Sequence, residues 1–329
     1  MENLLFADWL GTPAWFWLAF LAMVVALTAF DLGILNKKDR AMGIAESLKL
    51  SAFYISIGLL FGAWVWHAKG AEQGMQYLTG FFIEKALSID NVFVISLVFT
   101  FFAIPPKYQY RALLWGIVAV IVLRGIMIAA GAALVAEAYW VLYIFAAFLI
   151  ATGVKMLFVA DKPMDIGANP VVRFVSARMR VTPQLHGQRF FVRVPDATGQ
   201  RLVVAATPLF LALVVINLAD LVFAVDSVPA IFAITTDTFI VYTSNIMAIL
   251  GLRALYFALA AMVHRFHYLK YALALVLVFI GAKIFIADLL LGGAKFPPVL
   301  SLGVTFALIA GGVLYSLWKT RRPSLPAAS

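Results

Sequence analysis

The sequence has no cysteine and few charged residues for its length. Without cysteine the chain forms no disulfide, offers no thiolate to a metal and carries out no thiol redox chemistry of its own. Charged residues make up 12% of its 329 residues, whereas hydrophobic residues make up 64% and the mean hydropathy is +0.99. A water-soluble domain of this length and composition would aggregate. The chain is therefore expected to fold in a lipid bilayer.

Histidine is also scarce, with four residues in the whole chain. They are His67, His186, His264 and His267. All four fall in predicted loops or at the ends of predicted membrane spans. A zinc site built on histidine is therefore not expected.

Nine apolar runs have the length of about 20 residues that crosses about 30 Å of hydrocarbon as an α-helix. They predict an all-α, polytopic membrane protein with about nine transmembrane helices. The runs lie near residues 14–35, 48–66, 77–103, 112–135, 139–160, 203–234, 239–262, 269–291 and 298–318. The sixth run is unusually long and contains Pro208 and Pro229, so it must tilt, kink or begin outside the hydrocarbon.

Lysine and arginine are distributed unevenly between alternate loops, and short loops rich in these residues stay in the cytoplasm. If the amino terminus is outside, the outside segments contain only two basic residues, Lys69 and Lys295. This pattern predicts an outside amino terminus and a cytoplasmic carboxy terminus, and residues 1–13, which lack a basic leader, predict no cleavable signal peptide. The net charge of +9 then lies mainly against anionic lipid. The bilayer is the expected partner, and nucleic acid is not.

One sizeable polar segment, residues 161–202, separates two groups of spans. Part of it shows the alternation typical of a β-strand, with Phe190, Val192 and Val194 at every second position. This alternation predicts a short cytosolic hairpin. The segment offers no recognisable site, so we interpret it as a linker and the chain as a protein that is not an enzyme. The predicted parts are two flanking helices, a three-helix repeat, the linker, a second and inverted three-helix repeat, and a last helix with a cytoplasmic tail. They span residues 1–75, 76–160, 161–202, 203–292 and 293–329.

The third and sixth spans share a motif of an acid, five residues, a second acid and a small polar residue. The motif runs from Glu84 to Asn91 in the third span and from Asp220 to Ser227 in the sixth. Such self-similarity within one chain indicates an internal repeat. The third and sixth spans are therefore expected to be equivalent helices of two related units.

Further matches follow in the same order along the chain. Arg124 in the fourth span corresponds to Arg253 in the seventh, and Lys155 in the fifth corresponds to Lys283 in the eighth. Because each unit contains three spans, an odd number, the second unit must be inverted relative to the first. Inverted repeats with polar residues near the membrane midplane are typical of secondary transporters.

Carboxylates within the bilayer cost at least about 2.5 kcal/mol each, and intramembrane ionisable groups are candidates for a functional site. The functional interpretation is that these acids receive a mobile cation. The alternative is that the acids and bases of the spans form fixed ion pairs that only hold helices together. This alternative is possible by number, because five acids of the spans can pair with five bases. The acids are Asp31, Glu84, Asp90, Asp220 and Asp226, and the bases are Lys85, Arg124, Lys155, Arg253 and Lys283.

The two acids of each motif do not share a face of an ideal helix. At about 100° per residue Glu84 and Asn91 share one face, as do Asp220 and Ser227, whereas each second acid points about 120° away. Either the acids serve two positions along a pathway, or the backbone opens between them, where Pro229 leaves a helix carbonyl without its hydrogen bond. Oxygen ligands without sulfur or histidine suit hard divalent cations such as Mn(II), Mg(II) or Ca(II).

Four segments of the chain resemble the TerC family of integral membrane proteins, and most closely its Alx-type members. They are residues 83–94, 220–232, 235–237 and 250–254. The similarity covers almost the whole chain, and the two acidic motifs are specific. The resemblance implies a manganese exporter of the bacterial inner membrane, with Glu84, Asp90, Asp220 and Asp226 at the acidic positions of the family.

The sequence departs from the family pattern at Asn217, where the second motif of the family has a glutamate three residues before its first aspartate. An amide still offers an oxygen to a metal, but the site loses one negative charge. The predicted ligands of the transported cation are Glu84, Asp90, Asn91, Asn217, Asp220, Asp226 and Ser227. No prosthetic group is expected, because manganese(II) is the substrate rather than a resident cofactor.

In the resulting hypothesis the cation enters from the cytoplasm, exchanges water for these ligands and leaves outside, with protons as counter-ions. Asp31 is either an entrance ligand or a local helix-end residue. Arg124 and Arg253 are expected to bridge carboxylates and brace the gates, since a fixed positive charge opposes cation binding. The lysines at 85, 155 and 283 are expected to balance charge.

Two other classes of membrane protein are alternatives to a transporter. An intramembrane aspartyl protease is disfavoured because the chain has no Gly-x-Gly-Asp motif and each unit carries its own pair of acids. An assembly factor or scaffold, linked to metal delivery or tellurium resistance, would contact other membrane proteins. A scaffold would keep its function when Asp90 or Asp226 is neutralised, whereas a transporter would lose it.

Overall fold

The computed structural model describes residues 5–31, 43–158, 178, 180–195, 201–260, 266, 268–289 and 296–320. Every structural statement below concerns these residues. His264, His267, Lys295 and much of the predicted linker lie outside them. The predicted division of the chain into five parts therefore stays a prediction.

A short β-hairpin and five helices form the first half of the chain. The hairpin is β1 (Asp8–Trp9) and β2 (Thr12–Pro13), paired antiparallel. The helices are α1 (Ala14–Phe30), α2 (Ile44–Lys69), α3 (Ala71–Phe101), α4 (Pro106–Glu137) and α5 (Val141–Phe158). Proline at the start of α4 fits a helix amino terminus, because its fixed φ suits the first turn and its missing N–H would have no partner there.

A second hairpin and five helical segments form the other half. The hairpin is β3 (Phe191–Pro195) and β4 (Leu202–Ala206), paired from Phe191 with Ala206 to Pro195 with Leu202. The helices are α6 (Pro208–Phe232), α7 (Thr238–Leu250), α8 (Leu252–Leu259), α9 (Leu269–Leu289) and α10 (Pro298–Lys319). This is the hairpin that the alternation at residues 190–194 predicted.

Seven helices are long and apolar enough to cross a membrane when α7 and α8 count as one span. Two further helices belong to the same bundle. Helix α1 is apolar but has 17 residues, and α3 has 31 residues but carries Glu84, Lys85 and Asp90 in its middle. The described residues thus contain nine helices in this count, which confirms the predicted all-α, polytopic membrane fold.

Two predicted spans differ in detail from the helices. The sixth run, predicted near 203–234, starts before its helix, because Val203 to Ala206 lie in β4 and the helix begins at Pro208. β-Branched Val203 and Val204 favour the strand, and proline then starts the helix. The seventh span, predicted near 239–262, is present over Thr238–Leu259 and is interrupted at Gly251 between α7 and α8.

Consecutive helices joined by short turns run in alternating directions, which defines two faces of the bundle. The hairpin face contains β3 and β4, the end of α3 and the start of α6, where Phe191 packs on Phe210 with ring centroids 4.5 Å apart. The far face contains the end of α2 and the turn between α6 and α7, where Lys69 meets Asp237. Helices α3 and α6 therefore run in opposite directions, as expected of inverted units.

Helices α5 and α9 pack against each other in a pseudo-symmetric way. A Cβ built on Gly153 would lie 2.6 Å from the carbonyl oxygen of Ala274, and one built on Gly281 would lie 2.5 Å from that of Ala146. The members of each matched pair, Gly153 with Gly281 and Ala146 with Ala274, are separated by the same number of residues. The two units therefore meet at this contact through equivalent positions.

The outer surface of the bundle is largely apolar. Large hydrophobic side chains that are more than half exposed include Val25, Leu60, Val122, Ile126 and Leu314. Apolar surface of this extent needs a non-aqueous environment. The lipid bilayer supplies it, so the exposed side chains of the helices face acyl chains rather than water.

Candidate functional site

Arg124 joins the first acids of the two motifs at the centre of the bundle. Its side chain and that of Glu84 are each 1% exposed, and Asp220 is 6% exposed. Nη1 of Arg124 donates to Glu84 Oε1, while Nη2 and Nε donate to the two oxygens of Asp220 at 3.0 and 3.1 Å. Helices α3, α4 and α6 are thus linked through one buried guanidinium.

Small polar side chains complete the hydrogen bonds of this cluster. Asn91 donates to Asp220 Oδ1 at 3.1 Å, and the Ser227 hydroxyl accepts from Arg124 Nη1 at 3.0 Å. Asn245 on α7 accepts from the same Nη1 at 3.0 Å through Oδ1 and donates to Glu84 Oε2 at 3.2 Å. We call Glu84, Arg124, Asp220, Asn91, Ser227 and Asn245 the central cluster.

When both carboxylates are ionised, the central cluster itself has one negative charge in excess, because two carboxylates surround a single guanidinium; the charge of Lys85, outside the cluster, also acts on Glu84. In a low-dielectric interior such an excess is costly unless every lone pair is satisfied or another cation arrives. One acceptor in the cluster is unsatisfied: Asn91 Oδ1 is buried and has no hydrogen-bond partner among the described residues. The cluster therefore has both the charge and a free oxygen with which to receive a cation.

A small cavity adjoins the central cluster on the side of the hairpin face. Its volume is about 20 Å³, which is room for about one water molecule. Asn91, Asp220, Gly116 and Arg253 are among its lining residues. The unsatisfied oxygen of Asn91 and the Asp220 carboxylate thus belong to residues that border a space next to the ion pair with Arg124.

Arg253 closes the other end of this cavity. It is 1% exposed and pairs with Asp31 at the end of α1, which is 5% exposed. The guanidinium lies 4.3 Å from the ring centroid of Tyr110, and Tyr110 donates its hydroxyl to the carbonyl oxygen of Asp31 at 2.8 Å. The two matched arginines therefore have different acids, Arg124 in the central cluster and Arg253 near the hairpin face.

The sequence profile described as the integral membrane protein TerC family matches residues 69–324, which is more than half of the chain. The chain belongs to the TerC family. An uncharacterized membrane protein of Rickettsia bellii is 48% identical over 301 residues, covering 92% of this chain and 96% of the relative.

Two further relatives are named as membrane-bound redox modulators, Alx. The one from Photorhabdus laumondii is 42% identical, covering 94% of this chain and 96% of its own length. The one from Salmonella typhi is 41% identical, covering 94% and 95%. No solved structure matches the chain significantly.

Among the described residues, Asp226, the second acid of the sixth-span motif in this TerC-family chain, has its polar contacts outside the central cluster. Asp226 on α6 lies 3.4 Å from the Thr152 hydroxyl of α5, with the charge of Lys155 nearby. Asp90 is half-buried on α3, six positions after Glu84. Within the described residues no three Asp, Glu or His side chains converge as a metal-binding group. Helices α3 and α6 are continuous through both acids, so the backbone does not open between them.

Asn217 lies one helical turn before Asp220 on α6. Its amide nitrogen donates to the Leu213 carbonyl at 2.8 Å, and its buried Oδ1 has no partner among the described residues. The residue thus leaves a second free amide oxygen on the helix that carries Asp220. This is the position at which the sequence departs from the family pattern.

The three predicted charge-balancing lysines contact no carboxylate of the central cluster directly. Lys85 donates to the Ala248 carbonyl of α7 at 2.6 Å. Lys155 is exposed on α5, whereas Lys283 is buried on α9 and donates to the Ser301 hydroxyl at 3.1 Å. The matched lysines therefore differ in exposure.

A larger cavity of about 500 Å³ opens at the far face. It lies among α3, α5, α9, α10 and the turn between α6 and α7, and Glu72, Asp237, Asp288 and Lys283 are among its lining residues. This family chain therefore has a narrow, largely apolar cavity at the central cluster and a wide cavity with a more polar lining at the far face.

Lys69 fastens the turn between α6 and α7 at the far face. Its ammonium donates to Asp237 Oδ2 at 2.7 Å and to the Thr12 hydroxyl at 2.8 Å. Asp237 also caps α7, because its Oδ1 accepts from the backbone N–H groups of Phe239 and Ile240. We call this contact of Thr12, Lys69 and Asp237 the clasp.

Sequence reasoning missed several members of the site. The predicted ligands do not include Asn245, and the sequence motifs do not single out Gly116, Tyr110 or Thr152. One signal was available: Asn245 and Gly116 each lie eight residues before a matched arginine. The repeat alignment could therefore have indicated both positions.

Proposed function

We propose that this TerC-family chain is a secondary transporter that exports a divalent cation, most readily manganese, from the cytoplasm. The observation that carries the proposal is the central cluster, where carboxylates from two oppositely directed helices meet at one buried guanidinium. Two carboxylates match the charge of a divalent cation, and oxygen ligands suit manganese better than softer metals.

In this proposal Arg124 takes the place of the cation when the site is empty. A guanidinium and a divalent cation repel each other at short range, so the cation and Arg124 compete for Glu84 and Asp220. Asn91 would add its free amide oxygen, and Asn217 would offer a second one along α6. Carboxylates that release a divalent cation can take up protons in its place, so proton countertransport is part of the proposal.

The orientation follows from charge. Basic residues are concentrated in the loops on the side of the hairpin face, and such loops stay in the cytoplasm. We therefore propose that the hairpin face is cytoplasmic and that the amino terminus is outside. The small cavity then faces the cytoplasmic side of the central cluster, and the wide cavity faces outside.

The alternative is an assembly factor or a redox role like the one named for the Alx relatives. This chain contains no cysteine, so a redox role would need chemistry other than that of its own thiols. In a scaffold the same ion pairs would only hold helices together, and the second carboxylate at Arg124 would add a burial cost that this role does not require.

Metal uptake into inverted vesicles that contain the purified protein tests the proposal. Mn(II), Mg(II), Ca(II) and Zn(II) would be compared at two pH values, for the intact chain and for Asp220→Asn. We expect uptake of Mn(II) by the intact chain and a loss of at least about tenfold in the variant, because one of two charged ligands is gone.

Glu137→Gln is the matched control, since Glu137 is an exposed acid at the end of α4. It should transport as the intact chain does. Transport of none of the four ions by the intact chain, or equal activity of Asp220→Asn, would contradict metal transport.

A further inference from the structure

The two units are equivalent at their acids but not at their arginines. Asn91 contacts Asp220, and the matched residue Ser227 lies beside Glu84, so this pair of contacts is exchanged by the pseudo-symmetry. Arg124, however, holds both carboxylates, while its counterpart Arg253 holds Asp31. The asymmetry therefore lies in which arginine occupies the central cluster.

The small cavity lies where the pseudo-symmetry of the two units would place a side chain equivalent to that of Asn245. Asn245 lies eight residues before Arg253 and contacts Glu84 and Arg124 of the first unit. Gly116 lies eight residues before Arg124 and lines the cavity together with Asp220 and Arg253 of the second unit. Where one unit supplies an amide the other supplies glycine, so space remains open between Asp220 and Arg253.

Arg253 is poorly satisfied where it lies. Its Nη2 lies against Asp31 Oδ1, whereas its buried Nε and Nη1 have no acceptor in hydrogen-bonding geometry among the described residues. On the other side of the cavity Asn91 Oδ1 lacks a donor. Buried donors and a buried acceptor without partners therefore border the same space, an arrangement that favours movement of the donor toward the acceptor.

The backbone beside Arg253 is already interrupted. Helix α4 is continuous through Arg124, whereas α7 ends at Leu250 and α8 starts at Leu252. Gly251 at this break packs so closely that an added Cβ would lie 2.9 Å from Cβ of Tyr54. A break in the helical hydrogen bonds two residues before Arg253 lets α8 turn without unwinding α7.

We propose that Arg253 is a positioning residue that exchanges with Arg124 at the central cluster during transport. In the arrangement seen here Arg124 holds the acids and Arg253 rests on Asp31. In the opposite-facing arrangement the helices part at Gly116, where the cavity seen here has room for only about one water molecule, so that Arg253 reaches Asp220 and Arg124 withdraws. The cation occupies the acids between the two arrangements. This inference rests on the proposed transport, and it names the residue that neutralises the acids in the second state.

A cysteine placed at Gly116 reports the exchange, because the natural chain has no cysteine to cause background. A Cβ at Gly116 has ordinary contacts, the nearest at 3.8 Å, so Gly116→Cys should fit. Its reaction with N-ethylmaleimide would be followed over time in vesicles and normalised to the denatured protein. Because Gly116 is buried beside a cavity with room for about one water molecule, the rate measures how often the helices part there. Asp31→Asn removes the partner of Arg253, so Arg253 should move into the cavity and slow the reaction at least about fivefold.

Two further variants separate movement of Arg253 from simple loosening of the fold. Asp31→Glu should leave the rate of Gly116→Cys unchanged because the ion pair persists. Asp31→Asn combined with Arg253→Gln should restore the original rate, since no guanidinium remains to enter the cavity and no unpaired charge is left to destabilise the fold. Thr236→Cys, exposed at the far-face cavity, should react at one rate in all backgrounds.

An unchanged or faster reaction in Asp31→Asn would overturn the exchange. So would a slow reaction that persists when Arg253→Gln is added. The labelling needs no transported ion, so it can fail while metal uptake succeeds, and the reverse is also true. The two proposals are therefore tested independently.

Discussion

The first and second acids of the two motifs have similar sequence contexts but different surroundings. Glu84 and Asp220 meet across the interface of the inverted helices, whereas Asp226 contacts Thr152 on α5 instead. Six residues along a helix leave a side chain pointing about 120° away from its starting direction, so one rotation of the helix cannot aim both acids at the same point. The motif therefore provides one shared site and separate flanking positions.

The largest expected effect comes from removing the Arg124 guanidinium, which joins Glu84 and Asp220. Arg124→Gln leaves two buried carboxylates without a counter-ion, which should lower the free energy of unfolding by about 3–5 kcal/mol. Thermal unfolding in detergent, followed by tryptophan fluorescence, measures this. Lys155→Gln on the exposed side of α5 is the control and should change stability by less than about 0.5 kcal/mol. Equal melting temperatures for the two variants would contradict the role of Arg124.

The next effect separates the two classes of acid directly. Glu84→Gln and Asp220→Asn should each weaken Mn(II) binding about 100-fold, because each removes a charged ligand from the shared site. Asp90→Asn and Asp226→Asn should change binding by less than about threefold but slow transport, since they serve flanking positions. Isothermal titration calorimetry and vesicle uptake measure the two quantities. If all four variants bind equally weakly, the acids form a single site and the comparison fails.

A smaller effect tests the pseudo-symmetry on which the comparison depends. Gly153→Ala and Gly281→Ala should each destabilise the bundle by about 1–3 kcal/mol, since a Cβ at either position would press on a backbone carbonyl of the partner helix. Gly303→Ala on α10 is the control, because no atom lies within 4 Å of its added Cβ. Thermal unfolding of the three variants should show similar losses for the first two only. A loss at just one glycine would show that the contact is not equivalent in the two units.

The smallest effect concerns the departure from the family pattern. Asn217→Glu should tighten Mn(II) binding by roughly tenfold or less, because it adds a carboxylate one turn from Asp220 in place of an unsatisfied amide oxygen. Asn217→Gln has the same length without the charge and should leave the affinity unchanged. Titration calorimetry measures the Mn(II) affinity of both variants. Equal affinities would show that residue 217 is not part of the site.

The membrane fold was predictable because long apolar runs and the inverted motif are local properties of the sequence. Two boundaries were not, since Val203 to Ala206 pair with β3 and Gly251 breaks a run that is apolar throughout. Hydropathy does not distinguish a strand from a helix start or detect a break in a uniformly apolar segment.

The site was predictable only in part. Glu84 and Asp220 were expected from their motif, but only the packing of helices determines which acids meet. Asn245 is a lone amide in an apolar span, and Gly116 contributes by having no side chain. Neither has a chemical signature of its own, and only its place eight residues before a matched arginine of the repeat marks it.

The clasp makes the far face easy to release. One ammonium connects three segments that are distant in sequence, yet both ends of its ion pair are partly exposed, at 14% and 24%. Ion pairs of this kind contribute about 0–1 kcal/mol, so thermal motion at ordinary temperature is enough to undo this one. Undoing it would release Asp237 from the end of α2 and from Thr12 of the amino-terminal hairpin, while Phe239 at the start of α7 keeps its packing on Phe16 and Trp17.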